Sequence, residues 1–120
     1  MSSRILAIAL DAADPDELAR FWAAALGLAP LRHWHDARGV RYVEIGEDGK
    51  EVLLFQAVPD RKSVKNRMHL DVVPTEGGQY DEVRRLVALG ARELSDEPDF
   101  PWVVLADPEG NEFCVLPPGS

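Results

Sequence analysis

The sequence predicts an α+β fold built from two tandem βαβββ modules, each a four-stranded sheet carrying one helix. Two observations predict it. Apolar periodicity passes from a strand-length run to helical spacing and on to short strands, and it does so twice within 120 residues. The two passes also echo each other: Asp16-Glu17-Leu18-Ala19-Arg20 matches Asp81-Glu82-Val83-Arg84-Arg85, and Ala25-Leu26-Gly27 matches Ala88-Leu89-Gly90. An offset of roughly 63 residues is long for a solenoid repeat, and two copies are too few. The pattern is an internal duplication within one domain spanning residues 1–120.

In the first module, about residues 4–57, the apolar run Ile5 to Leu10 has strand length and ends at the acidic and small residues 11–14. Asp14 as N-cap, Pro15 at the first helical position and Glu17 three residues on from Asp14 then mark a helix start. The helix should reach Leu26 and stop at Gly27, with Leu18, Phe21, Trp22 and Ala25 on its apolar face; Trp22 is expected to be core. Arg32 to Trp34, Val40 to Ile45 and Glu51 to Gln56 follow as strands, and Asp48-Gly49 between the last two is a hairpin signal. Residues 58–67 are polar, open with a proline and carry Arg61, Lys62, Lys65 and Arg67. They are expected to be a linker with solvated charge rather than an anion site.

The second module, about residues 68–117, restarts the order. Met68 to Val73 is a strand, Gln79 to Leu89 a helix stopped by Gly90, and Arg92–Leu94, Trp102–Ala106 and Glu112–Leu116 three further strands. The second helix has only an ambiguous cap in Thr75 and Gly77-Gly78. Period two on the last strand puts Glu112, Cys114 and Leu116 on one face and Phe113 and Val115 on the other. His69 and Asp71 likewise share a face.

Composition sets limits on function. Thirteen basic against twenty-one acidic side chains give a net charge of −8, spread evenly over both halves, which makes nucleic acid a poor partner. A single cysteine excludes an intramolecular disulfide. No segment has the length and apolarity of a signal peptide or membrane span, so the expectation is a cytoplasmic protein without a membrane partner.

Three features together are similar to the vicinal oxygen chelate superfamily, the glyoxalase and bleomycin-resistance-protein group. They are the two βαβββ modules, the Asp14-Pro15, Leu18-Ala19-Arg20-Phe21-Trp22 and Leu26-Gly27-Leu28 run, and the turn Asp107-Pro108-Glu109-Gly110-Asn111. The resemblance implies a curved mixed sheet around a small-molecule cleft, with one helix per module on the outer face. It also implies that metalloenzyme relatives carry ligands on the first and last strands of each module. Those positions fall on His69 and Cys114 in the second module and, by the repeat offset, on Ala7 and Leu53 in the first. Alanine and leucine cannot coordinate a metal, so no metal and no cofactor are expected. A set of shifted ligands among His69, Asp71, Glu112 and Cys114 remains the alternative.

The function expected from the resemblance is metal-free binding or sequestration of a small molecule, as in bleomycin resistance proteins, by a homodimer whose acidic exterior favours a cationic ligand. The alternative is a lyase, isomerase or dioxygenase using His69 as metal ligand or general acid/base, since histidine titrates near neutral pH. His69 is therefore the candidate catalytic residue. Trp34, Tyr42, Leu53, Phe55, Asp71, Trp102, Glu112 and Cys114 are the candidate ligand-binding residues, the aromatic ones because they bring large contact area to such sites. Cys114 is expected to be a small, partly buried residue rather than a nucleophile.

Overall fold

The computed structural model describes residues 1–120 and divides into two compact units, Met1–Arg61 and Lys62–Ser120. The first unit contains β1 (Ile8–Ala12), α1 (Pro15–Leu26), β2 (Ala29–His35), β3 (Arg41–Glu47) and β4 (Lys50–Ala57). The second contains β5 (Leu70–Val72), α2 (Gln79–Leu89), β6 (Arg92–Ser95), β7 (Val103–Ala106) and β8 (Glu112–Val115). The sheets have the same topology, β1-β4-β3-β2 and β5-β8-β7-β6, with the first strand parallel to the last and the other pairs antiparallel. The duplicated βαβββ order is thus a duplicated mixed sheet.

The first helix begins as its sequence signals require. The Asp14 side chain accepts from the Glu17 backbone N–H at 3.2 Å, Pro15 opens the helix and Gly27 closes it. Leu18, Ala19, Phe21 and Trp22 are buried, and Trp22 meets Phe21 edge to face at 5.2 Å, so Trp22 belongs to the core. The sheet face opposite these residues carries Val43, Ile45, Leu53 and Phe55, which pair across β3 and β4 and are all buried. Arg41 ties β3 to α1 by gripping the Asp16 carboxylate at 2.7 and 2.8 Å. In α2 the cap is supplied from inside the helix. Gly78 has no side chain, but Asp81 reaches back to accept from its N–H at 2.9 Å.

One boundary differs from expectation because of the register of the parallel pair. The first strand is Ile8–Ala12 rather than Ile5–Leu10, because Ile8 to Ala12 pair with Leu53 to Ala57, and Ile5 and Leu6 lie outside the sheet, 81% and 69% exposed. Apolar content marked the run, but hydrogen-bonding partners set its ends. Residues 62–67 are also more than a solvated linker. Lys62 bonds the Glu112 carboxylate at 3.0 Å, and the Asn66 backbone N–H and side chain bond Glu112 and Asn111 at 3.0 and 2.7 Å. The segment is a strap fastened to the start of β8. No helix is long and apolar enough to cross a membrane.

Candidate functional site

In the second unit the site begins with the turn before β8. Asp107, 3% exposed, accepts from the backbone N–H groups of Glu109 and Asn111 at 2.9 and 3.0 Å and from the Asn111 side chain at 2.9 Å. Gly110 adopts φ +90, a conformation that disfavours any residue with a Cβ. This turn sets the phase of the strand that follows. Phe113 and Val115 go to the face that packs with Val83 and Leu86 of α2, and all four are buried. Glu112 and Cys114 go to the other face.

The parallel neighbour completes that face. Asp71 lies directly across from Cys114 in the β5–β8 register, and His69 stands two residues before Asp71. His69 Nδ1 is 3.1 Å from Asp71 Oδ1, and one donor atom from each of His69, Asp71 and Cys114 lies within 4.8 Å of the others. Burial pushes the Cys114 thiol above its usual pKa, and the Asp71 carboxylate, by its charge and by accepting a hydrogen bond from the thiol, pushes it further. Cys114 is half-buried, and both effects favour its thiol form.

These groups border a pocket of ≈ 330 Å³. Val104, Cys114 and Leu116 form its sheet surface, Trp102 an aromatic wall, and Lys65, His69, Asp71 and Glu112 its polar part. Phe100 stacks on Trp102 at 4.9 Å and supports that wall. Glu112 is the constrained member. Burial works against its charge, but the Asn66 N–H and the Lys62 ammonium prevail and hold its carboxyl at about 2. Both of its oxygens are engaged, so it fixes the strap that carries Lys65 into the pocket.

Four of the expected site residues, His69, Asp71, Glu112 and Cys114, are brought together with Trp102 in this one pocket. Trp34 and Tyr42 form a separate cluster in the first unit. Their rings stack at 5.2 Å and 8°, Arg32 lies 4.7 Å over Trp34, and Tyr42 donates to Asp36 at 2.9 Å. Arg32 also grips Glu44, 5% exposed, through two bonds of 2.9 and 3.2 Å.

Leu53 and Phe55 require correction as ligand-binding residues. They are 1% and 0% exposed and point into the core shared with α1. The first-unit residue equivalent to Cys114 is Leu54, because Ala9 pairs with Leu54 as Asp71 pairs with Cys114. A shift of one residue along a strand exchanges its faces. Lys65, Val104 and Leu116 were not among the expected residues. Val104 shares the parity of Trp102 and could have been found from it, whereas nothing in the strand pattern locates Lys65.

With this geometry in view, a glyoxalase-like domain model matches residues 7–116, nearly the whole chain. The chain belongs to the glyoxalase-like domain family. That places it in the vicinal oxygen chelate superfamily, and the paired βαβββ units are that superfamily's fold. Among solved structures, the fosfomycin resistance protein FosX from Mesorhizobium loti is similar with a TM-score of 0.73 at 11% identity, covering 97% of this chain and 92% of that one. The E126Q mutant of FosX from Listeria monocytogenes, complexed with Mn(II) and 1S,2S-dihydroxypropylphosphonic acid, gives 0.75 at 14% identity, covering 97% and 93%. The trypanothione-dependent glyoxalase I of Leishmania major gives 0.68 at 16% identity, covering 96% and 86%. At these identities the likeness is one of fold. A search of curated protein sequences found no significant match.

Proposed function

We propose that this protein binds and sequesters a small molecule in the pocket of its second unit, without the hard divalent ion that accompanies the Listeria FosX, in the manner of bleomycin resistance proteins. The observation that carries this reading is the composition of the pocket. An apolar sheet surface and an aromatic wall meet a few convergent polar groups in ≈ 330 Å³, the usual make-up of a small-molecule site. The residues do not fit a Mn(II)-type ion. In the first unit, Ala7, Ala9 and Leu54 supply no side-chain donors where the second unit has His69, Asp71 and Cys114. The second-unit donors include a thiol held protonated, which a hard ion does not favour.

One observation favours a second reading, in which His69 acts as a general acid/base. Its Nδ1 bond to Asp71 fixes the ring and leaves Nε2 as the proton-accepting nitrogen when the imidazole is neutral. We further propose that the chain functions as a homodimer, which light scattering on the purified protein tests directly. For the pocket, the test is a thermal-shift screen of aromatic and cationic small molecules in the presence of a chelator. A ligand that raises the melting temperature of the wild type but not of Trp102→Ala supports binding in this pocket. Equal shifts in both proteins would place the ligand elsewhere and overturn the reading.

A further inference from the structure

The charged groups that border the second-unit pocket are paired, with one exception. Glu112 is bonded to the Lys62 ammonium and to the Asn66 backbone N–H, each at 3.0 Å, so neither of its oxygens is left over. Asp71 faces the His69 ring at 3.1 Å and accepts from the Cys114 thiol. Lys65 has only the carbonyl oxygen of its neighbour Asn66, at 3.3 Å, and no carboxylate partner. From this uncompensated cation beside an aromatic wall we infer that the pocket's ligand is a planar aromatic carboxylate, its ring against Trp102 and its anionic group at Lys65. The inference rests on the pocket reading proposed above and narrows it to one ligand class. That class is opposite in sign to the cationic ligand favoured by a net charge of −8.

The strap makes Lys65 a placed group. Lys62 and Asn66, on either side of it, are both fastened to Glu112 at the start of β8, and the Asn66 side chain adds a bond of 2.7 Å to Asn111. The Lys65 charge is felt at Cys114, on the sheet surface of the cavity, where it favours ionisation against the opposing effects of burial and Asp71. A ligand carboxylate at Lys65 gains a charge-assisted hydrogen bond, roughly twice as strong as one between neutral groups. A ligand ammonium finds both carboxylates already engaged and meets a like charge.

The wall is built as firmly as the strap. Gln79, at the start of α2, donates to the Pro101 carbonyl at 2.7 Å and to the Val115 carbonyl at 2.8 Å, tying the residue before Trp102 to β8. Phe100 stacks on the Trp102 ring at 4.9 Å and 11°. Trp102 borders the cavity and Phe100 does not, so the ring surface that Phe100 leaves uncovered is the one a ligand meets. A second aromatic ring suits that surface, and the apolar sheet residues Val104 and Leu116 suit the ring's remaining area. At ≈ 330 Å³ the cavity lies at the small end of the range for ligand pockets, about 300–1,000 Å³, which fits one or two fused rings carrying a short acid group.

The test is isothermal titration calorimetry of the full-length protein with three probes that share one ring system: naphthoate, naphthamide and naphthylmethylammonium. The expected order of affinity is carboxylate, then amide, then ammonium, with the preference for the carboxylate shrinking as salt is added. Trp102→Ala should weaken the carboxylate and the amide alike. Lys65→Gln should weaken naphthoate alone, by about five- to tenfold because Lys65 is exposed, and so bring it level with the amide. Lys65→Glu should reverse the order and favour the ammonium. Naphthoate that fails to bind, or a carboxylate-to-amide ratio that Lys65→Gln leaves unchanged, would overturn the inference. Amide or ammonium binding that depends on Trp102 while naphthoate binds no better leaves the pocket reading standing and sinks the assignment of an aromatic carboxylate.

Discussion

Replacing Glu112 by Gln tests whether the strap over β8 is held by charge. The carboxyl sits at about 2 against an ordinary 4.5, with its side chain 15% exposed, so solvent screening is a minor correction. A difference of that size corresponds to about 3 kcal/mol of stability carried by the ionised form. Because the folded value is depressed, this contribution is complete above the ordinary glutamate range. It is lost as pH falls from about 5 to about 2. Glu112→Gln keeps an acceptor for the Asn66 N–H but loses the pairing with Lys62, so the variant should be less stable than wild type by about 2–3 kcal/mol at pH 7. The gap should close toward zero near pH 2. Urea denaturation at fixed pH values, followed by tryptophan fluorescence and circular dichroism, gives the two stability curves, and their difference removes the other titrating carboxylates common to both proteins. A gap that stays constant from pH 7 to pH 2 would refute the reasoning, since it would mean that Glu112 acts through shape and not through its charge.

Three further outcomes follow from the same structure. Leu53→Ala should cost about 2–5 kcal/mol and Leu54→Ala less than half as much, because only the former removes a side chain that is 1% exposed in the α1 core; equal costs in chemical denaturation would contradict the assignment of faces. Gly46→Ala should cost at least about 2 kcal/mol or prevent folding, because a Cβ there would collide with the Lys50 backbone carbonyl and the Leu31 side chain at the β3–β4 bulge, and thermal unfolding of the purified variant checks this. Alkylation of Cys114 by iodoacetamide in chelator should be slow at neutral pH and accelerate as pH rises past the usual thiol range, and Asp71→Asn should be faster by several-fold on the order expected for removing a neighbouring negative charge.

The architecture was legible in the sequence because it depends on local signals. The Asp14-Pro15 start, the apolar stripes of both helices and the Asp107 to Asn111 turn each act within a few residues, and each is found in place. The faces of β8 were legible for the same reason, since period two needs only the strand's own residues. Transfer between modules was not. The offset is 62 between Ala9 and Asp71, 60 between Leu54 and Cys114, and 65 between Asp16 and Asp81, because the turns and helices of the two units differ in length. Leu53 stands 61 residues before Cys114, against the true offset of 60, and that one residue moves the position to the other face of the strand. Lys62 and Asn66 were illegible for a different reason. Their partners are 50 and 46 residues distant, and only the folded chain brings a basic linker residue to the carboxylate of the last strand.

The duplication supplies a comparison inside one molecule. Ala9 across from Leu54 and Asp71 across from Cys114 occupy the same rungs of two sheets with identical strand order. On both rungs the flanking residues serve the core: Leu53 and Phe55 in one unit, Phe113 and Val115 in the other. The scaffold thus demands apolar residues at the flanks and accepts an alanine–leucine pair between them, as the first unit demonstrates. A carboxylate and a thiol on the second unit's rung, with His69 where the first unit has Ala7, are therefore not requirements of the fold. Asp71 opposite Cys114 opposes ionisation of the sulfur and adds an exposed charge to an already acidic chain. Structural need does not account for that rung, and the groups it presents open onto the pocket. The difference between the two rungs is the most direct reason to place the function in the second unit.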